Sequence, residues 1–132
     1  MRIHEYRNVF AKRKRKSPEH DSQVALIRLI NMSLDKYPDL DLVFAIPNGG
    51  HRDIRTAKRL SAEGVKAGVP DLMFPVARGA YHGLFIEMKA NKNRPTVKQK
   101  IWHKKLASQG YLVKICYSAD EAFQLLVGYL DS

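Results

Sequence analysis

Two carboxylates and a lysine stand out by type and spacing: Asp71, which follows Pro70, and Glu87 and Lys89, with Met88 between them. Side chains two positions apart on a strand point to the same face, so Glu87 and Lys89 share one. Residues 71–77 and 84–89 read as strands joined by a turn over 78–83, with Pro75 implying an edge or a bulge. Folding this hairpin about Ala80 sets position 71 opposite 89 and 73 opposite 87, which brings Asp71 to the face of Glu87 and Lys89. A slip of one residue would turn Asp71 away. In the expected register, two carboxylates and an ammonium converge near the end of a sheet. Hard oxygen ligands so placed suit Mg²⁺, which keeps several of its waters. Such a cation polarises a phosphate oxygen and lowers the pKa of its water. The lysine is placed to steady the attacking water or the developing negative charge.

Plainer explanations exist for each residue alone. Asp71 fits a turn after Pro70, and Glu87 and Lys89 fit a cross-strand ion pair on a solvated face. The run Leu84-Phe85-Ile86 weighs against them jointly. It is apolar enough for an inner strand, where a carboxylate is costly without a partner or a metal.

The elements that must position these groups follow from punctuation and period. Ser17-Pro18-Glu19 opens a helix that extends to about Lys36, with Val24, Ile27, Ile30 and Leu34 on one stripe. Residues 42–46 form a strand-length apolar run, followed by the loop Pro47-Asn48-Gly49-Gly50. A helix over 53–63 stops at Gly64. After the hairpin and the basic loop 91–95, Thr96 caps a helix with Gln99 three residues on, and Ile101, Trp102 and Leu106 form its apolar face. Gln99 can be read as a capping-box residue or as a site residue. Residues 111–117 form a strand. Ser118 and Glu121 open a last helix, on which Phe123, Leu126 and Leu130 offer either a core stripe or a dimer patch. The order α-β-α-β-β-α-β-α describes one α/β domain over residues 17–132, a central mixed sheet flanked by helices, preceded by a basic arm over residues 1–16.

Charge and composition narrow the partners. The chain has 132 residues and a net charge of +10, from 23 Lys and Arg against 13 Asp and Glu. From Lys89 to Lys105 there are seven basic residues and no acid. Arg52, Arg55, Lys58, Arg59 and Lys66 add to this surface, and Tyr81 and His82 at the hairpin tip fit either a DNA contact or turn chemistry alone. Phosphate contacts from such groups give affinity without sequence reading. No apolar run approaches the roughly 20 residues that span a bilayer. The lone Cys116 permits no internal disulfide and no Cys-rich zinc site, which fits a reducing cytoplasm, and its apolar strand makes it a core residue. The histidines show no zinc spacing. Asn48-Gly49-Gly50 lacks the Gly-Lys-Ser/Thr of a P-loop.

The pattern Pro-Asp followed by Glu-x-Lys on a strand resembles the PD-(D/E)xK nuclease superfamily. Residues 64–72, Pro47-Asn48-Gly49-Gly50, residues 83–89, Gln99 with Trp102, and Gly110-Tyr111 resemble, more narrowly, the VRR-NUC (virus-type replication-repair nuclease) domains over roughly residues 19–128. The resemblance implies a restriction-endonuclease-like core and a Mg²⁺- or Mn²⁺-dependent endodeoxyribonuclease. By the same resemblance, Asp71 and Glu87 match the metal-binding carboxylates, with Glu19 as a further metal or water ligand from an E-x-x-x-Q pattern with Gln23. The Met88 backbone carbonyl completes the inner shell, Lys89 matches the catalytic lysine, and Gln99 matches a family glutamine. The family helix begins with a serine and a proline, whereas here Pro95 precedes Thr96. Arg52, Lys92, Arg94 and Lys98 are the expected DNA contacts. Small stand-alone members imply a phage or bacterial homodimer that cuts branched DNA such as Holliday junctions. A flap or replication-fork nuclease, or a non-catalytic basic binding module, are the rival readings.

Overall fold

The computed structural model describes residues 18–47 and 53–132. The basic arm, Ser17, Asn48-Gly49-Gly50, His51 and Arg52 lie outside the described residues. The chain runs through α1 (Pro18–Met32), a 3-10 helix (Pro38–Leu42), β1 (Phe44–Ala45), α2 (Ile54–Ala62), β2 (Leu72–Phe74), β3 (Leu84–Met88), α3 (Val97–Ser108), β4 (Leu112–Cys116) and α4 (Ala119–Leu130). The sheet has the order β1-β2-β3-β4. Its first three strands are antiparallel, and β3 and β4 are parallel, joined across α3.

This is the expected order with one insertion. Residues 38–42 turn as a 3-10 helix because Pro38 presets its first turn and Leu40 drops fully into the core. Only two exposed residues remain of the expected strand over 42–46. β2 ends at Phe74 rather than Ala77, since Pro75 has no N–H to donate to the ladder.

All five residues of β3 are buried, as in a strand covered on both faces. Its even-numbered residues Leu84, Ile86 and Met88 join Leu72, Phe74, Leu26, Ile30, Leu126 and Tyr129 in the hydrophobic core under α1 and α4. The apolar stripe expected on α1 is rotated. Leu26 and Ile30 are buried, Ile27 and Leu34 pack at the margin, and Val24 faces solvent. The dimer patch expected on α4 also needs correction, because Leu126 is fully buried in this core.

The opposite face of the sheet carries Phe85 and Glu87 and is covered by α3. Gly68 sets how closely α3 approaches. Its φ is +93°, and a Cβ there would lie 2.8 Å from the backbone carbon and oxygen of Lys98. The segment leading into β2 therefore passes directly against the first turn of α3. A Gly68→Ala substitution combines backbone strain with a backbone clash and is expected to cost about 2 kcal/mol or more. Urea unfolding checks this, and an unchanged midpoint would remove the close approach.

Candidate active site

The hairpin register places Leu72 opposite Ile86 and Met73 opposite Phe85, which sets Asp71 opposite Glu87. The expected partner of position 71 was 89. The difference is two residues, so the face is preserved and Asp71 and Glu87 share it. Its origin lies at Pro75. A tight turn follows, closed by Val76 N–H donating to the Phe74 carbonyl at 2.9 Å, before the Arg78–Tyr81 bridge at the tip. The connection is thus not symmetrical about Ala80.

Backbone contacts hold the group together. Asp71 Oδ2 accepts from Met88 N–H at 2.8 Å. The N–H and C=O of one extended residue point to the same edge, so the Met88 carbonyl also faces the Asp71 side. Lys89 N–H donates the other way, to the Cys116 carbonyl of β4 at 2.9 Å. Glu19, in the first turn of α1, accepts from Ala90 N–H through Oε1 at 3.3 Å. Glu19, Asp71, Glu87, the Met88 carbonyl and Lys89 therefore gather at the C-terminal end of β3.

Burial sets the electrostatics. Glu87 is 1% exposed and Lys89 8%. The Glu87 carboxyl is pushed up to about 9, first by burial and then by the hydrogen bond and negative charge of Asp71. Glu19 adds to the rise and Lys89 opposes it. His103 of α3 places Nε2 at 3.4 Å from Glu87 Oε1. Burial, and then the charge of Lys89, push this imidazole below its ordinary value. His103 is therefore a neutral hydrogen-bond partner of Glu87 rather than its counter-charge.

These donors fit a hard divalent cation. Among the described residues, no three or more His, Cys, Asp or Glu side chains are grouped to hold a metal. Two carboxylates and a carbonyl, completed by water, match the few protein ligands that Mg²⁺ takes, and they lack the nitrogen and sulfur ligands of zinc. A buried carboxyl whose proton is held by a second carboxyl marks a centre short of positive charge, which a bound cation supplies.

The remaining expected residues fall elsewhere. Gln99 forms the capping box of α3, with Oε1 accepting from Thr96 N–H at 2.8 Å. Lys92, Arg94 and Lys98 are exposed, and Arg52 lies outside the described residues. Cys116 is a core residue, its thiol pushed up to about 12 by burial. His103 fails the zinc-spacing criterion, and sequence reasoning missed it. The available signal was its place four residues after Gln99, on the same helical face.

The Glu87 shift makes a stability prediction. Unfolded, this carboxyl ionises near 4.5, whereas folded and metal-free it keeps its proton to about 9. Between these values the native state binds more protons, so rising pH favours unfolding. Chelator-treated protein is expected to melt at lower temperature at pH 8.5 than at pH 7. Glu87→Gln flattens this dependence. A wild-type melting temperature that climbs over the interval would contradict the shift.

Comparisons with known proteins show the family. A family model described as "VRR-NUC domain" matches residues 17–120. No curated protein matches the chain. Among solved structures, a chain described as "VRR_NUC domain protein" superposes with a TM-score of 0.71 at 30% identity, covering 89% of this chain and 91% of the other. The match over residues 17–120 and the superposed sheet together show that this chain belongs to the VRR-NUC domain family, nucleases of the PD-(D/E)xK type.

Proposed function

We propose that the chain is a divalent-metal-dependent endonuclease that cuts branched DNA, such as four-way Holliday junctions, as a homodimer. The observation that carries the reading is the buried Glu87 facing Asp71 beside Lys89, in a chain of net charge +10. Asp71, Glu87 and the Met88 carbonyl would hold Mg²⁺ or Mn²⁺, with Glu19 as a further ligand or a water ligand. A bound cation there supplies neutralisation of the scissile phosphate and activation of the attacking water. Lys89 steadies that water or the charge that develops on the phosphate. His103 holds Glu87 Oε1. Gln99 has its oxygen committed to the helix end and offers only its amide nitrogen. Lys92, Arg94, Lys98 and Arg52 bind the phosphate backbone. Two centres related by a two-fold axis suit a substrate with two equivalent strands.

A cleavage panel tests the reading with junction, flap, duplex and single-stranded DNA, each with Mg²⁺, Mn²⁺ or chelator. Junction cutting that needs metal is expected, and sedimentation should give a species of twice 15.1 kDa. Preference for flaps would move the substrate to forked DNA, and a monomer would remove the paired cut. If wild type cuts nothing, the chain is a binding module.

Asp71→Asn, Glu87→Gln and Lys89→Ala should each lose at least ~100-fold in cleavage rate. DNA binding should hold or tighten in the two acid variants, which remove negative charge near the phosphates. His103→Leu should lose roughly 10- to 100-fold, as partners that orient ligands commonly do. Wild-type cutting rates in all four would place the chemistry elsewhere in the chain. Binding in chelator should weaken steeply with salt as the Lys and Arg contacts release counterions. Affinity unchanged between low and high salt would exclude phosphate contacts as its source.

A further inference from the structure

A groove of about 440 Å³ runs between α3 and the segment preceding β2, lined by Val65, Lys66, Ala67, Lys98, Ile101 and Trp102 among others. Its floor is apolar and its rim is cationic. The Lys66 ammonium lies 5.9 Å and the Lys105 ammonium 6.0 Å from the centroid of the Trp102 ring. Lys66, Lys98 and Lys105 are all exposed, and Ile101 is 48% exposed. An acid nearby, Glu63, is engaged by Arg59 at 4.0 Å. An aromatic ring within a ring of lysines is the chemistry that takes an unpaired base together with its flanking phosphates.

We propose that this groove binds one unstacked nucleotide of the substrate, its base on Trp102 and its phosphates on Lys66, Lys98 and Lys105. The proposal rests on the nucleic-acid reading above and adds a preference for unpaired bases. Charge complementarity decides the occupant. The arriving phosphates draw the lysines off the ring and leave its face to the base. The exchange is favourable, because an exposed cation–π contact is worth about 2- to 5-fold in affinity, whereas a stacked base is worth about 5- to 150-fold.

The groove is tied to the chemistry from two sides. Its α3 wall carries His103, next to Trp102 and in contact with Glu87. Adjacent helical positions diverge by about 100°, so the ring opens beside the carboxylates rather than into them. The other wall is pressed onto Lys98 at Gly68, three residues before Asp71. The groove and the carboxylates thus share two elements, α3 and the segment leading into β2, and a base held on Trp102 favours DNA with unpaired nucleotides.

Trp102 is the only tryptophan in the chain, so tryptophan emission reports on the surroundings of this one ring. The full chain is titrated in chelator with single-stranded DNA, with blunt duplex of equal length and with a junction carrying unpaired bases. Anisotropy of labelled DNA measures binding in parallel. Single strands and the junction are expected to quench Trp102, and bound duplex is not. Trp102→Leu should weaken single-strand binding by about 10-fold or more. Trp102→Phe should recover most of it, and thermal melting establishes that both variants fold. Unchanged emission while anisotropy shows single-strand binding would overturn the proposal, as would wild-type affinity in Trp102→Leu. A change in emission that follows protein concentration without DNA would overturn it in favour of a second copy of the chain. Quenching without cleavage under any metal would sink the nuclease reading and leave this site standing; cleavage without quenching does the reverse.

Discussion

A carboxylate buried on the innermost strand is the constraint around which the rest of this molecule is arranged. Glu87 sits where the sheet is driest, between Ile86 and Met88, which point into the main core. An isolated charge there would be costly. The structure answers with groups from separate elements: Asp71 from across the hairpin, Lys89 two residues on, and His103 from the crossover helix. Of the three only Lys89 favours the ionised carboxyl, and burial with Asp71 outweighs it. The centre retains a proton, which is the mark of a buried carboxyl pair with too little positive charge around it.

The hairpin shows why this arrangement was legible in the sequence even where its details were not. Side-chain direction depends only on whether a register shift is odd or even. The fold pairs position 71 with 87 rather than 89, yet the convergence of Asp71, Glu87 and Lys89 survives, because a shift of two changes no face. Helix ends were equally readable, since Asp53, Thr96 and Ser118 each cap through local hydrogen bonds. These are short-range effects that nearby residues decide.

What the sequence hid was set by tertiary packing. Leu40 is drawn into the core, which converts the start of a strand-like run into a 3-10 helix. Packing of α1 against α4 selects Leu26 over Val24. His103 gains its meaning only when α3 folds back over the sheet, since nothing near it in sequence carries a carboxylate. Gln99 shows the limit from the other side. Its local capping contact was readable, and the same contact narrows what its side chain can offer to a substrate.

The two faces of the sheet differ in thickness, and this has a mechanical consequence. One face lies under α1 and α4 and holds nearly all of the core. The other is covered by α3, which buries none of its own residues completely. That helix is held to the sheet by partly buried side chains, Trp102, His103 and Leu106. The strands carry the acids, and the helix over them carries His103 and Trp102. A ligand that engages both the strands and α3 would order that helix further and lose part of its affinity to the ordering.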